Sequence, residues 1–234
     1  MGPKAARKKT TARAAAETVA RVAGQTRRLA EVAVVLPEGV TPPGTRGRIL
    51  QAALTQFAEH GFHGTSIRKL AAAVGLTSAS LYVHYTSKEQ ILDELVRIGH
   101  EELATRMRAA AEEGANPSER LESLVRAHVR MHVDFALLAV VTNIELHALA
   151  PEDAAKTTAV RAESFQLLLD AVQSGVDTGE FTVEDPLLAT IAIGSIGIRV
   201  AHWFGPDQPF TPDQVADRYA GYALRIVGAG ATLR

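Results

Sequence analysis

The residues best suited to chemistry cluster between Gly64 and Leu92, in the run GTSIRKLAAAVGLTSASLYVHYTSKEQIL. The spacing predicts two short helices joined by a tight turn, with a third opening directly after. Thr65 reads as the N-cap of the first, whose apolar face is Ile67, Leu70 and Ala71. Gly75 ends that helix where positive φ is wanted. Thr77 caps the second helix, drawn from Thr77 to Tyr85, which turns Leu81 and Tyr85 inward. Ser78, Ala79, Ser80, Tyr82, Val83 and His84 are left facing out, small or hydrogen-bonding. Helix, glycine turn and second helix with such a face make a helix-turn-helix. Ser78, Ala79 and Ser80 cannot grip guanine with two hydrogen bonds, so that task falls to Arg68 and Lys69, or specificity rests on DNA shape. Ser87 to Gln90 reads as a capping box, with Lys88 at the start of the third helix.

This stretch resembles the DNA-binding domain of the tetracycline-repressor (TetR/AcrR) family of bacterial transcriptional regulators. The resemblance rests on Ile49-Leu50-x-x-Ala53-x-x-x-Phe57-x-x-x-Gly61-Phe62, Thr65-Ser66-Ile67 and Leu70-Ala71-x-x-x-Gly75-Leu76. Leu81-Tyr82-x-His84-Tyr85-x-Ser87-Lys88-Glu89-x-Ile91-Leu92 completes it. It implies that the helix after Thr77 enters the major groove of a double-stranded operator. Ser78, Ala79 and Ser80 then lie near base edges, Val83 meets a thymine methyl or sugar, and Tyr82 and His84 touch backbone or adjacent bases. Thr65 and Lys88 match the family's phosphate contacts, at helix N-termini that favour an anion. The family also implies a homodimer on a pseudo-palindrome, formed through the last two helices. Gly194, Ser195, Gly197 and the apolar stripe of the last helix suit that surface, or else internal packing.

Past residue 113 the candidates are fewer. On the helix from Pro117 to Phe135, Leu121, Val125, His128, His132 and Phe135 share a face, with two histidines four residues apart on an apolar surface. That spacing could hold a metal, but no third ligand follows at a telling distance. The alternatives are satisfied core histidines and polar groups lining a ligand pocket. Arg199 interrupts the apolar run of residues 187–204, beside His202 and Trp203. A buried charge needs a partner, here Glu145, Glu163 or an anionic ligand group. Asn143, Glu145, His147, Arg161 and Phe165 complete the lining candidates. Residues 201–219, with Ala201-His202-Trp203-Phe204-x-Pro206 and Phe210-Thr211-Pro212, are similar to the C-terminal halves of actinobacterial members responsive to acyl-CoA thioesters of fatty-acid or steroid breakdown. This implies a small hydrophobic effector, elongated and apolar with an anionic end.

Elements of one kind position these residues. Helical spacing recurs over residues 45–61, from Ser87 to about Glu113, from Pro117 to Phe135, over 139–148, 153–175 and 185–205, and after the capping box at Thr211. No alternating strand pattern competes, so the chain is expected to be all-α, with about nine helices. Three divisions follow: a basic, mostly disordered arm at 1–43, a helix-turn-helix DNA-binding domain at 44–92, and a ligand-binding and dimerisation domain at 93–234. Charge divides with them. Residues 1–43 carry eight Lys/Arg against three Asp/Glu, residues 44–92 five against two, and residues 93–234 twelve against twenty-one. A polyanion suits the front and an otherwise chosen partner the rear. Arg7, Lys8, Lys9 and Arg13 of the arm are candidates to track phosphate, or a solvated tail.

Several classes lose support. The absence of cysteine excludes disulfides and thiolate chemistry. No glycine-rich phosphate loop, nucleophile elbow or telling carboxylate pair supports an enzyme, and no cofactor is expected. No apolar run approaches roughly 18 residues, so no membrane partner is expected, and without a signal segment the location expected is cytoplasmic. The reading is therefore a ligand-responsive DNA-binding regulator, a repressor released by an acyl-CoA or similar ligand. A repressor of drug efflux sensing cations, with Glu145 and Glu163 as pocket acids, and a non-specific nucleoid-type protein are the alternatives.

Overall fold

The structure, a computed structural model, describes residues 33–205 and 208–230. Among the described residues there are nine α-helices and no strand. They are α1 Thr45–Gly64, α2 Ile67–Ala73, α3 Ser78–Tyr82, α4 Lys88–Ala111, α5 Pro117–Asp134, α6 Ala136–Ile144, α7 Pro151–Asp177, α8 Pro186–Trp203 and α9 Pro212–Ile226, with a 3-10 turn at Glu145–Ala148 after α6. The all-α expectation holds. Of the arm at 1–43, residues 1–32 lie outside the described residues, and its last part is not loose. Leu36 is buried in the core, with Val34 and Val40 packed against it.

Local chemistry explains most helix ends. Asn116 accepts from the Glu119 amide at 2.9 Å, Asp185 from Leu188 at 2.9 Å, and each is followed by proline at the first helical position. At Thr211 both halves of the capping box form. Ser87 accepts from Gln90 at 3.1 Å, but the Gln90 side chain reaches back to the Thr86 amide rather than to Ser87. The chain leaves α1 at Gly61, whose φ of 70° and ψ of 166° break the helix before a last turn. An L side chain there would be strained.

Ile49, Leu50, Leu54 and Phe57 of α1 pack with Leu70, Leu81, Tyr85 and Leu92 around one small core, all essentially without solvent exposure. The boundary expected at residue 92 falls inside α4, which continues from that core through Leu95, Ile98, Leu103 and Met107 into the second half. There α5 is central, touching α4, α7, α8 and α9, while α6 bridges α1, α4 and α8.

In the last two helices the internal-packing alternative holds for Gly197 and the α9 stripe. The stripe Val215, Ala216, Ala220 and Ala223 of α9 is buried on α5, and ion pairs Arg126–Asp217 (2.8 Å) and Arg130–Asp213 flank it. Gly197 is likewise internal. Any Cβ there would lie 2.2 Å from His128 Cδ2, so this glycine lets an imidazole of α5 press against α8. The opposite face of α8 exposes Leu187, Leu188, Ile191, Ser195 and Arg199. This helix also corrects the expectation about apolar runs. It has 18 residues with mean hydropathy 1.3, enough by length and composition for a membrane span, although a third of it is buried in the chain. Gly197→Ala is expected to lower unfolding stability by about 1–3 kcal/mol, through overpacking against His128, measured by urea denaturation.

Candidate nucleic-acid interface and ligand cavity

The helix-turn-helix forms as its caps dictate. Thr77 Oγ1 accepts from the Ser80 amide at 3.1 Å and meets the Ser80 hydroxyl at 2.9 Å, fixing the first turn of α3. Gly75, with φ of 71°, makes the turn before it. α3 is shorter than expected and ends at Tyr82, because the chain bends to bury Tyr85 completely. Ala79 is exposed, Ser78, Ser80 and His84 partly so, Tyr82 is 50% and Val83 82% exposed, and Arg68 and Lys69 stand out from α2. Apolar surface this open on a small, otherwise well-packed unit has no partner among the described residues.

Two expected phosphate contacts have other work. Thr65 is 3% exposed and donates its hydroxyl to Gln56 O at 3.1 Å and Gly61 O at 3.0 Å. Ser66, not Thr65, caps α2, accepting from Lys69 at 3.3 Å. Lys88 turns back and donates to Phe62 O at 2.7 Å and Thr65 O at 3.0 Å, with its ammonium 4.1 Å from the Phe62 ring centre. It caps the carbonyls at and just past the end of α1, where Phe62 O also accepts from the Thr65 amide at 3.2 Å. Nothing in the local sequence signalled this, since the partners lie more than twenty residues upstream.

Behind this unit, α4, α5, α6, α7 and α8 enclose a cavity of about 340 Å³. His128 and His132 of α5, Asn143 of α6, and Arg161 and Phe165 of α7 line it, as expected for five of the candidates. The other five do not, His147 being exposed with its Nδ1 2.7 Å from Ile144 O. Glu145 is buried and accepts the Phe62 amide at 3.2 Å. Arg199 is exposed on α8 and pairs with neither Glu145 nor Glu163, the latter being held by Arg108 at 2.6 Å. His202 lies half-buried between Arg199 and His132, and Trp203 packs edge-on against Phe204 at 5.9 Å. The apolar run around Arg199 hid its exposure, because α8 is apolar on both faces.

The cation of the cavity is Arg161 of α7, with no ion pair among the described residues. His100 of α4, missed in sequence, also lines the cavity, and its Nε2 is buried without a partner. Its signal was a helical position in phase with Leu103 and Met107. Burial pushes the imidazoles of His100 and His128 down to about 3 and that of His132 to about 4. The neighbouring Arg161 and His132 add to this at His100, and His132 at His128. All three are neutral at pH 7, and among the described residues no carboxylate lines the cavity. Among the described residues no group of three His, Cys, Asp or Glu side chains converges as a metal set would.

An outward helix-turn-helix joined by one long helix to a chambered helical domain defines a DNA-binding regulatory protein. Comparison with known proteins gives the family. Residues 49–95 match the bacterial regulatory proteins of the tetR family, and residues 114–227 match the tetracyclin repressor-like C-terminal domain. The transcriptional repressor KstR2 of Mycobacterium tuberculosis is 30% identical over 181 residues, 76% of this chain and 90% of that one. The solved structure of this ketosteroid transcriptional regulator superposes with TM-score 0.73 at 29% identity, over 79% of this chain and 96% of that one. A tetR-family protein from Rhodococcus RHA1 gives 0.74 at 31% identity, over 83% and 100% of the two chains. AibR in complex with isovaleryl coenzyme A and operator DNA gives 0.68 at 25%, over 77% and 97%. The chain belongs to the TetR family.

Two outcomes follow from this geometry. Histidines titrate near 6.5 in the unfolded chain and at 3–4 here, so the unfolded state binds more protons between those values. Stability is full above about pH 6.5 and is lost as pH falls toward 4. One unit below the unfolded value each histidine costs about 1.4 kcal/mol, and urea midpoints across that range should show it, less steeply in His100→Leu. Glu145→Ala leaves the Phe62 amide buried and unpaired. It should cost about 1–3 kcal/mol of stability and weaken operator binding, whereas Glu145→Gln, which keeps an acceptor, should retain both in denaturation and fluorescence-anisotropy assays.

Proposed function

We propose that this protein is a repressor that leaves its operator when a hydrophobic ligand with an anionic group, such as a CoA thioester of lipid or steroid breakdown, occupies the cavity. The observation that carries this is Arg161, a cation without an ion pair among the described residues, in a cavity whose other described lining groups are neutral. An anion offers it a partner, while a cationic drug would meet repulsion. The acids that a cation sensor would need, Glu145 and Glu163, are engaged by Phe62 and Arg108. The relatives point the same way: AibR was solved with isovaleryl coenzyme A and operator DNA, and KstR2 is a ketosteroid regulator. At about 340 Å³ the cavity is at the small end for ligand sites, large enough for an acyl group with the nucleotide outside. Thr158 and Ala162 on its α7 wall are exposed, which suits entry beside Arg161.

On the DNA side, Ala79, Tyr82 and Val83, with Ser78, Ser80 and His84, form the face that enters the major groove. Arg68 and Lys69 add charge, and Thr77 holds the turn. The exposed apolar face of α8, Leu187, Leu188 and Ile191, is the surface for a second copy, giving two reading heads on a pseudo-palindrome. A two-headed reader of this kind acts in the cytoplasm.

Release follows from linkage. The ligand must bind better to the dimer whose heads are mis-spaced. Gly99, His100 and Leu103 of α4 and Thr142 and Asn143 of α6 line the cavity. The first residue of α4 is Lys88, and the residue after α6 is Glu145, so both walls end on Phe62. The test is displacement of the purified protein from its operator fragment by decanoyl-CoA. Wild type is expected to dissociate. Arg161→Met should bind operator as wild type does and need at least about tenfold more ligand. Equal sensitivity of the two to decanoyl-CoA, or release by cationic drugs alone, would sink the reading.

A further inference from the structure

The protons on the cavity wall can be placed one by one. His132 Nδ1 lies 2.8 Å from His128 O. A carbonyl only accepts, so Nδ1 carries the hydrogen and Nε2 is a bare lone pair. His128 Nε2 lies 3.3 Å from Gly194 O, which by the same logic leaves Nδ1 bare. Asn143 donates its amide to Ala139 O at 2.7 Å, leaving its oxygen free. The lining hydroxyls behave alike: Thr142 donates to Ala139 O, Thr158 to Ala154 O and Ser164 to Val160 O. Burial keeps the imidazoles neutral, which preserves the lone pairs.

These lone pairs are within a ligand's reach. Among the described residues the sealed side-chain atoms without a partner are Tyr85 Oη, His100 Nε2 and Arg120 Nε. The bare nitrogens of His128 and His132 are not among the sealed atoms, and the rings that carry them line the cavity. The wall is therefore rich in acceptors, with Arg161 as its charged donor. A plain alkyl chain would strip water from these acceptors and return nothing. A ketone would set its own lone pairs against theirs. A hydroxyl supplies the hydrogen they lack.

We infer that the effector's apolar body carries a hydroxyl group, which donates to the bare nitrogens of His132 and His128 while the anionic end meets Arg161. This rests on the CoA-thioester reading above. A site built to hydrogen-bond a hydroxyl discriminates strongly against analogues without one.

The test is calorimetric titration of the full-length protein with four thioesters: decanoyl-CoA, β-oxodecanoyl-CoA, β-hydroxydecanoyl-CoA and ω-hydroxydecanoyl-CoA. At least one hydroxy form is expected to bind about tenfold tighter than both the unsubstituted and the oxo compounds. His132→Asn keeps a donor for His128 O but removes the acceptor, and should reduce the preference to within about twofold. His132→Gln, which restores an acceptor near Nε2, should recover it. Should His132→Asn fail to fold, the wild-type comparison decides alone. Decanoyl-CoA or the oxo form binding as tightly as the better hydroxy form overturns the inference and leaves the thioester reading standing. A preference that survives in folded His132→Asn overturns the assignment to His132. Binding of none of the four removes the thioester reading itself, and this inference with it.

Discussion

The peptide groups of Phe62 are held from two sides by charged residues far away in sequence. Its amide donates to Glu145 at 3.2 Å, and its carbonyl accepts from Lys88 at 2.7 Å while the same ammonium lies over its ring. Gly61 makes the clamp possible, since its φ of 70° swings the end of α1 out of line. A charge drawn out of water needs a partner, and the buried Glu145 and half-buried Lys88 each have one here, so these two side chains specify the geometry as much as they stabilise it. The placement of α2 and α3 follows, because Thr65, the residue directly after the short last turn, is pinned to Gln56 and Gly61.

The same economy of charge shapes the second half. Acidic residues abound there, yet they are spent outside the cavity: Glu163 on Arg108, Asp134 and Glu102 on Arg106, Asp213 and Asp217 across the α5–α9 seam. The cavity keeps one arginine and a set of imidazoles that burial holds neutral. A chamber so built presents positive potential against a wall of lone pairs. On the proposed function, a preference for an anion comes from the exclusion of carboxylates as much as from the presence of Arg161.

Close approach ties the chamber to the clamp. A Cβ on Gly99 would lie 3.1 Å from the Thr142 side chain and 3.3 Å from that of Leu138, so side chains of α6 press on the α4 backbone at the cavity wall. Helices packed that tightly move as units rather than by local give. On the proposed function, a change in what fills the cavity is felt at the first residue of α4 and at the turn after α6, which are the two arms of the clamp.

Much of this was legible in the chain. Gly75 and the caps at Thr77, Ser87, Asn116, Asp185 and Thr211 mark their turns because capping is a local exchange of hydrogen bonds within four residues. Helical period foretold the burial of His128 and His132 and the outward turn of Ala79, Tyr82 and Val83. Contacts across long separations were not legible. Lys88 and Thr65 carry no sign that they face their own backbone, nor does Glu145 that it reaches residue 62. Arg199 and Arg161 look alike in sequence, each an arginine on a long helix, and only packing decides which faces a cavity. α8 is apolar on both sides, so periodicity could not choose its buried face. His128 chose it, by needing the space that Gly197 leaves open.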